Sequence, residues 1–183
     1  MLWTLAACAV PPAERPEATR AEIDGLTAEI LSLGPGIDPE EAQRAAEIAF
    51  SYTRQLALEY EIVDPPLIHN TKVNMGLKPR GLCWHWAEDM ERRLDAENFE
   101  TLAMERAIAN AENDFLIDHS TAIVTRKGDG PMDGVVLDPW RYGGTLFWDK
   151  VREDTRYNWV PRETVFARKR ARAAGEPVEG FLP

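Results

Sequence analysis

Arg80-Gly81-Leu82-Cys83-Trp84-His85-Trp86-Ala87-Glu88-Asp89-Met90 is the stretch on which the reading of this chain turns. Cys83, Ala87, Met90 and Leu94 recur at i, i+4, i+7 and i+11, a spacing that predicts one buried stripe of a helix opening at the cysteine. Glu88, Asp89, Glu91, Arg92 and Asp95 are expected to cover the remaining surface. A buried stripe ordinarily begins with Leu or Ile; this one begins with a thiol. Only the thiolate attacks, and a free cysteine has a pKa of about 8.5. The unpaired amides and dipole of a helix N-terminus favour an anion there, and Lys78 and Arg80 add positive charge. Gly81 permits a sharp entry into the helix and close approach of a carbonyl, and the Cys83 N–H is a natural oxyanion donor. A buried structural cysteine is the competing reading, so the decision falls to the flanking chain.

Upstream, Asp38-Pro39-Glu40-Glu41 is a helix start, with Asp as N-cap, Pro at the first helical position and acids in the first turn. That helix is predicted to run to about Tyr60, burying Ala42, Ala45, Ala46, Ala49, Tyr52, Leu56 and Tyr60, and to stop at Asp64-Pro65-Pro66. An earlier helix spans Thr19 to Leu33 and ends at Gly34-Pro35-Gly36. Leu67 to Pro79 has no clear period and is expected to be a loop carrying His69, Asn70 and Asn74; Asn74 is the candidate side-chain oxyanion donor.

Downstream the nucleophile helix is expected to end near Asn98, where the period changes from helical to alternating. Thr101 to Ala109 reads as a strand, with helix left open by its Ala, Met and Glu content, and Phe115 to Val124 as a stronger one, with Phe115, Ile117, His119, Thr121 and Ile123 on one face. Lys127 to Gly134 is a turn by composition, and Val135-Val136-Leu137-Asp138 returns as a strand closed by Pro139. A hairpin pivoting between Gly128 and Asp129 sets His119 directly opposite Asp138, within reach of a carboxylate–imidazole hydrogen bond.

A cysteine opening a helix, a histidine on a following strand and an aspartate ending the next, in that order, resemble the transglutaminase-like branch of the papain-type cysteine enzymes. The matching residues are Cys83, His119 and Asp138, with Val136-Leu137-Asp138-Pro139-Trp140 similar to the family's aspartate motif. The likeness covers roughly residues 75 to 145. It departs from the pattern at Trp84-His85-Trp86, where acidic or small residues usually follow the cysteine, and this bears on the substrate. The resemblance implies thiolate attack on a carbonyl, His119 as the proton carrier, Asp138 fixing the imidazole tautomer, and a thioester released to water or an amine. It implies an α+β fold in which N-terminal helices and the nucleophile helix pack on a small antiparallel sheet.

The 183 residues, 44% hydrophobic and 28% charged, describe a globular domain, taken here as residues 19–183 following a leader of residues 1–18. A formal charge of −10 argues against nucleic acid as partner. Leu5-Ala6-Ala7-Cys8 resembles a bacterial lipobox lacking its charged n-region and most of its apolar run, with Cys8 the lipidation residue and the Pro-rich stretch 9–16 a spacer. That reading places the protein lipid-anchored at the envelope; a chance match would leave it cytoplasmic. With Cys8 lipidated, Cys83 is a free thiol. Cys83 and His85 diverge on a helix, so no metal site is expected, and no cofactor is required. His85 is expected to be exposed or partly buried on its helix, and Asp118 and His69 are lesser site candidates. Trp140, Trp148 and Trp159 read either as core or as a cleft wall, and Arg168-Lys169-Arg170-Ala171-Arg172 as a solvated basic helix face. The expected partner is a peptide or protein amide. The alternative function is a non-catalytic envelope lipoprotein binding peptide or glycan in the same cleft.

Overall fold

The computed structural model describes residues 16–113 and 115–176; Cys8 lies outside them. The nucleophile stripe forms as its spacing dictates: α4 runs Cys83–Asp95 with Cys83, Ala87, Met90 and Leu94 all buried. Before it come α1 (Arg20–Leu31), α2 (Pro39–Glu59) and α3 (Pro66–Asn74). Thr19 and Glu22 close α1 with a reciprocal capping box. Asp38 caps α2 by accepting the Glu40 and Glu41 amides at 2.7 and 3.2 Å. The predicted α2 stripe is buried, with Tyr52 partly so.

The expected loop at Leu67–Pro79 is instead largely α3, since Pro66 sits in its first turn and starts the helix rather than merely ending the previous one. Its apolar residues lack a helical period because its anchoring positions are polar: His69 and Asn70 are its buried residues. Leu67, Ile68 and Met75 are exposed.

Five antiparallel strands follow in the order β4-β3-β2-β1-β5: β1 Leu102–Ala109, β2 His119–Arg126, β3 Val135–Asp138, β4 Phe147–Lys150 and β5 Val160–Pro161. Helix α5 (Arg162–Ala173) packs on β1 and β5. The fold is therefore α+β, with helices against an antiparallel sheet. One core joins α1, α2 and α4 to Leu102, Ala122, Val124, Val135 and Leu137. A second joins Ala107, Ala109, Ile123 and Val136 to Val151 and Trp159. Alternation along β1, β2 and β3 sends successive side chains to these two layers. Glu41 ties helix to sheet: its carboxylate accepts the amides of Glu100 and Thr101 at 2.6 and 2.8 Å.

Two strand expectations are corrected. β2 begins at His119, not Phe115, because its partner β1 ends at Ala109, paired with His119. Beyond that pair no neighbouring strand among the described residues is left to satisfy the backbone. Residues 110–113 and 115–118 instead turn on asparagines, with Asn110 Nδ2 donating to the Ile117 carbonyl at 3.1 Å and Asn113 Oδ1 accepting the Phe115 amide at 3.0 Å. Phe115 is 97% exposed as a result. The β2–β3 register also differs by two residues: Ala122 pairs with Leu137, Ile123 with Val136 and Val124 with Val135. A 3-10 turn at Pro131–Asp133 moves the hairpin centre toward Gly130. A slip of two keeps every side chain on its expected face, where a slip of one would have reversed them.

Candidate active site

Cys83 sits at the first position of α4, beside the start of β2: its Sγ is 3.5 Å from the Asp118 carbonyl. It is a free cysteine and buried. Amides in a first helical turn have no intrahelical acceptor, so the Cys83 and Trp84 N–H groups flank the thiol as potential oxyanion donors. The residue that shapes this N-terminus is unexpected. His85, buried rather than surface-facing, turns its ring back so that Nδ1 accepts the Gly81 and Leu82 amides at 3.1 and 3.2 Å. Those bonds require a bare, neutral nitrogen. Burial, with the nearby Arg80 charge, pushes the His85 pKa down to about 4. A histidine thus does the capping work usually left to Ser, Thr or Asp.

Gly81 has φ +125°, and a Cβ there would collide with the His69 ring at Nε2. His69 fills that space, its Nε2 donating to the Arg80 carbonyl at 2.8 Å. It thereby pins the backbone just ahead of Gly81, Leu82 and the thiol of Cys83. The upstream cations have their own partners: Lys78 pairs with Glu61 at 2.8 Å and Arg80 with Asp89 at 3.0 Å. Asp89, expected on the surface, is buried and also bonds Tyr60 Oη and Arg92. From β1, Arg106 donates to the carbonyl of Trp84, the residue after the thiol, at 3.3 Å.

His119 opens β2 and Asp138 closes β3; the register sets them diagonally rather than directly opposite. Diagonal neighbours remain within reach of long side chains, and His119 Nε2 lies 2.7 Å from Asp138 Oδ2. Nδ1 is buried without a conventional hydrogen-bond partner, which makes it the ring nitrogen available to the thiol. Burial opposes the charged ring, but the charge and hydrogen bond of Asp138, reinforced by Cys83, outweigh it and push the His119 pKa up to about 9. Trp140, Tyr157 and Trp159 enclose the imidazole with centroids at 4.6, 4.6 and 5.3 Å. Of the three tryptophans, Trp159 meets the ring as a buried member of the second core, Trp140 as a half-buried residue beside it, and Trp148 packs against the main core. Trp140 Nε1 in turn donates to Asn70 Oδ1 at 3.0 Å.

The structure hydrogen-bonds His119 to Asp138 and sets the Cys83 thiol against the carbonyl of Asp118, the residue that precedes His119. Asn74 is the exposed last residue of α3, and no hydrogen bond among the described residues joins it to them. Asp118 contributes its backbone carbonyl at the thiol, its carboxylate being 2.5 Å from Lys169. Two residues that no sequence signal marked stand behind Asp138. Arg141 Nε donates to Asp138 Oδ2 at 3.0 Å and its Nη atoms grip Asp154 at 3.1 and 2.5 Å. Asp154 also accepts Trp159 Nε1 at 2.8 Å. Among the described residues no cluster of His, Cys, Asp and Glu could hold a metal ion, and no helix is long and apolar enough to cross a membrane. Comparison of the chain with protein-family models, with curated proteins and with solved structures finds no match.

Proposed function

We propose that the protein is a cysteine acyl-transferase or hydrolase of transglutaminase-like type, acting on peptide or protein amides through a thioester at the bacterial envelope. One observation carries the reading: a buried imidazole holds Asp138 through Nε2 and keeps Nδ1 unpaired, while the Cys83 thiol lies 3.5 Å from the carbonyl of the preceding residue, Asp118. Asp138 engages Nε2 and leaves Nδ1 toward sulfur. The thiol proton passes to Nδ1, giving a thiolate beside an imidazolium. Sγ bonds to the substrate carbonyl carbon, and the developing oxyanion is met by the first-turn amides of α4. Collapse breaks the C–N bond as Nδ1–H protonates the leaving amine. Water or a second amine, losing its proton to Nδ1, then displaces the thiol from the thioester. Asp138 holds the ring and offsets its charge throughout.

The test is the pH dependence of iodoacetamide labelling of Cys83, followed by peptide mass mapping in the wild type and in His119→Ala. Rapid labelling at neutral pH that is lost in the variant is the expected result. A thiol protected at every pH and indifferent to His119 would sink the acyl-transfer reading and favour a binding cleft.

A further inference from the structure

Asp138 is the acceptor for two cations at once. Its Oδ2 lies 2.7 Å from His119 Nε2 and 3.0 Å from Arg141 Nε. A carboxylate so placed would ordinarily be satisfied by the guanidinium, which cannot be deprotonated, leaving little attraction for an imidazolium. The arrangement avoids this. Arg141 gives both Nη atoms to Asp154, in the bidentate geometry that makes the strongest charge-assisted pairs. Asp154 is buried and further fixed by the Trp159 indole and the Arg156 amide. The Arg141 guanidinium is sandwiched against Phe147 and Tyr157, 3.6 and 4.8 Å from their centroids. The pair is therefore locked by packing as well as by charge.

We infer that Arg141 and Asp154 are positioning residues that set the proton affinity of His119: Asp154 cancels the Arg141 charge, so Asp138 keeps a full negative charge for the imidazolium while Arg141 holds its carboxylate in place. Charge counting gives the logic. Asp138, Arg141 and Asp154 together carry −1, and a protonated His119 brings them to zero; Cys83 is common to every variant compared and drops out of the differences. Without Asp154 the same group reaches +1 when the ring protonates; without Arg141 it stays at −1. The two single removals must move His119 in opposite directions. A pair that acted on the site through packing alone, with no electrostatic reach to the ring, would not produce that crossing.

The inference rests on the proposed role of His119, and its test reads the ring directly. Imidazole resonances of His119, assigned by their loss in His119→Gln, are titrated by NMR in the wild type, Asp154→Asn, Arg141→Gln and the double variant. Asp154→Asn is expected to lower the His119 pKa by about 1 unit or more and Arg141→Gln to raise it, the size expected of one uncompensated charge within a few ångströms. The double variant restores the charge balance and returns the pKa to within about half a unit of wild type, a coupling that only interacting sites display. Should one single variant fail to fold, the other measured against the double still decides the sign. Shifts in the same direction, or none in folded protein, overturn the inference. Failure of acyl transfer with the crossing intact would instead count against the proposed function alone, because the titration needs no substrate.

Discussion

His85 and His119 are both buried, both border the Cys83 end of α4, and carry opposite electrical instructions. His85 is held down at about 4, by burial and by the Arg80 charge. His119 is held up at about 9, against its own burial, by Asp138 and Cys83. Desolvation disfavours the charged ring in both places; the difference is the partner. His85 faces two backbone N–H donors and must offer a lone pair. His119 faces a carboxylate and must offer a proton. One imidazole shapes the helix end on which the thiol sits, and the other is the candidate carrier of that thiol's proton.

The sharpest way to break this contrast is to remove the partner of the raised ring. Asp138→Asn keeps the shape but withdraws the charge and frees the tautomer. Any acyl transfer is expected to fall by about 10²–10⁴-fold, and alkylation of Cys83 at neutral pH by about 10-fold, since a free thiol of pKa about 8.5 still keeps a few per cent of thiolate there. An unchanged rate would show that the thiol does not depend on the pair. Next in size is Gly81→Ala. Its φ of +125° and the collision of a Cβ with His69 predict a loss of roughly 2–4 kcal/mol in denaturant unfolding. Wild-type stability in that variant would mean that α3 gives way easily.

His85→Gln is expected to cost about 1–2 kcal/mol, the value of a lost cap, and to leave the His119 titration where it was. The same variant sharpens the pH comparison. A folded pKa below the unfolded one near 6.5 means that the His85 contribution is fully present above that value and is lost as pH falls toward about 4. His119 has the reverse sign: its contribution is complete below about 6.5 and disappears as pH rises through about 9. Wild-type thermal unfolding should therefore soften at both ends. In His85→Gln the acid-side slope between pH 6.5 and 4 is expected to flatten while the alkaline side is unchanged. Equal slopes in the two proteins would show that His85 is not the group responsible.

Much of the helical half was legible because local rules governed it. Thr19 with Glu22, and Asp38 with Pro39, satisfy their own helix starts, and the stripe from Cys83 to Leu94 needs only a 3.6-residue period. β3 and the turn before it were legible for the same reason. Helix α3 was not, because its buried residues are His69 and Asn70, whose partners lie at Arg80 and Trp140. Phe115 and Ile117 alternate like a strand, yet β1 ends at Ala109 and gives them nothing to pair with.

The sequence by itself determined which residues share a face. Side-chain alternation is a property of each strand, so His119 and Asp138 stayed together even though the hairpin register differs by two. Only the tertiary structure decided what those residues meet. The Arg141–Asp154 pair behind Asp138, the aromatic wall around His119 and the folding back of His85 over its helix end depend on segments brought together from different parts of the chain. Electrostatic character follows from such neighbours, because a charge is felt over a few ångströms of space whatever the separation along the backbone.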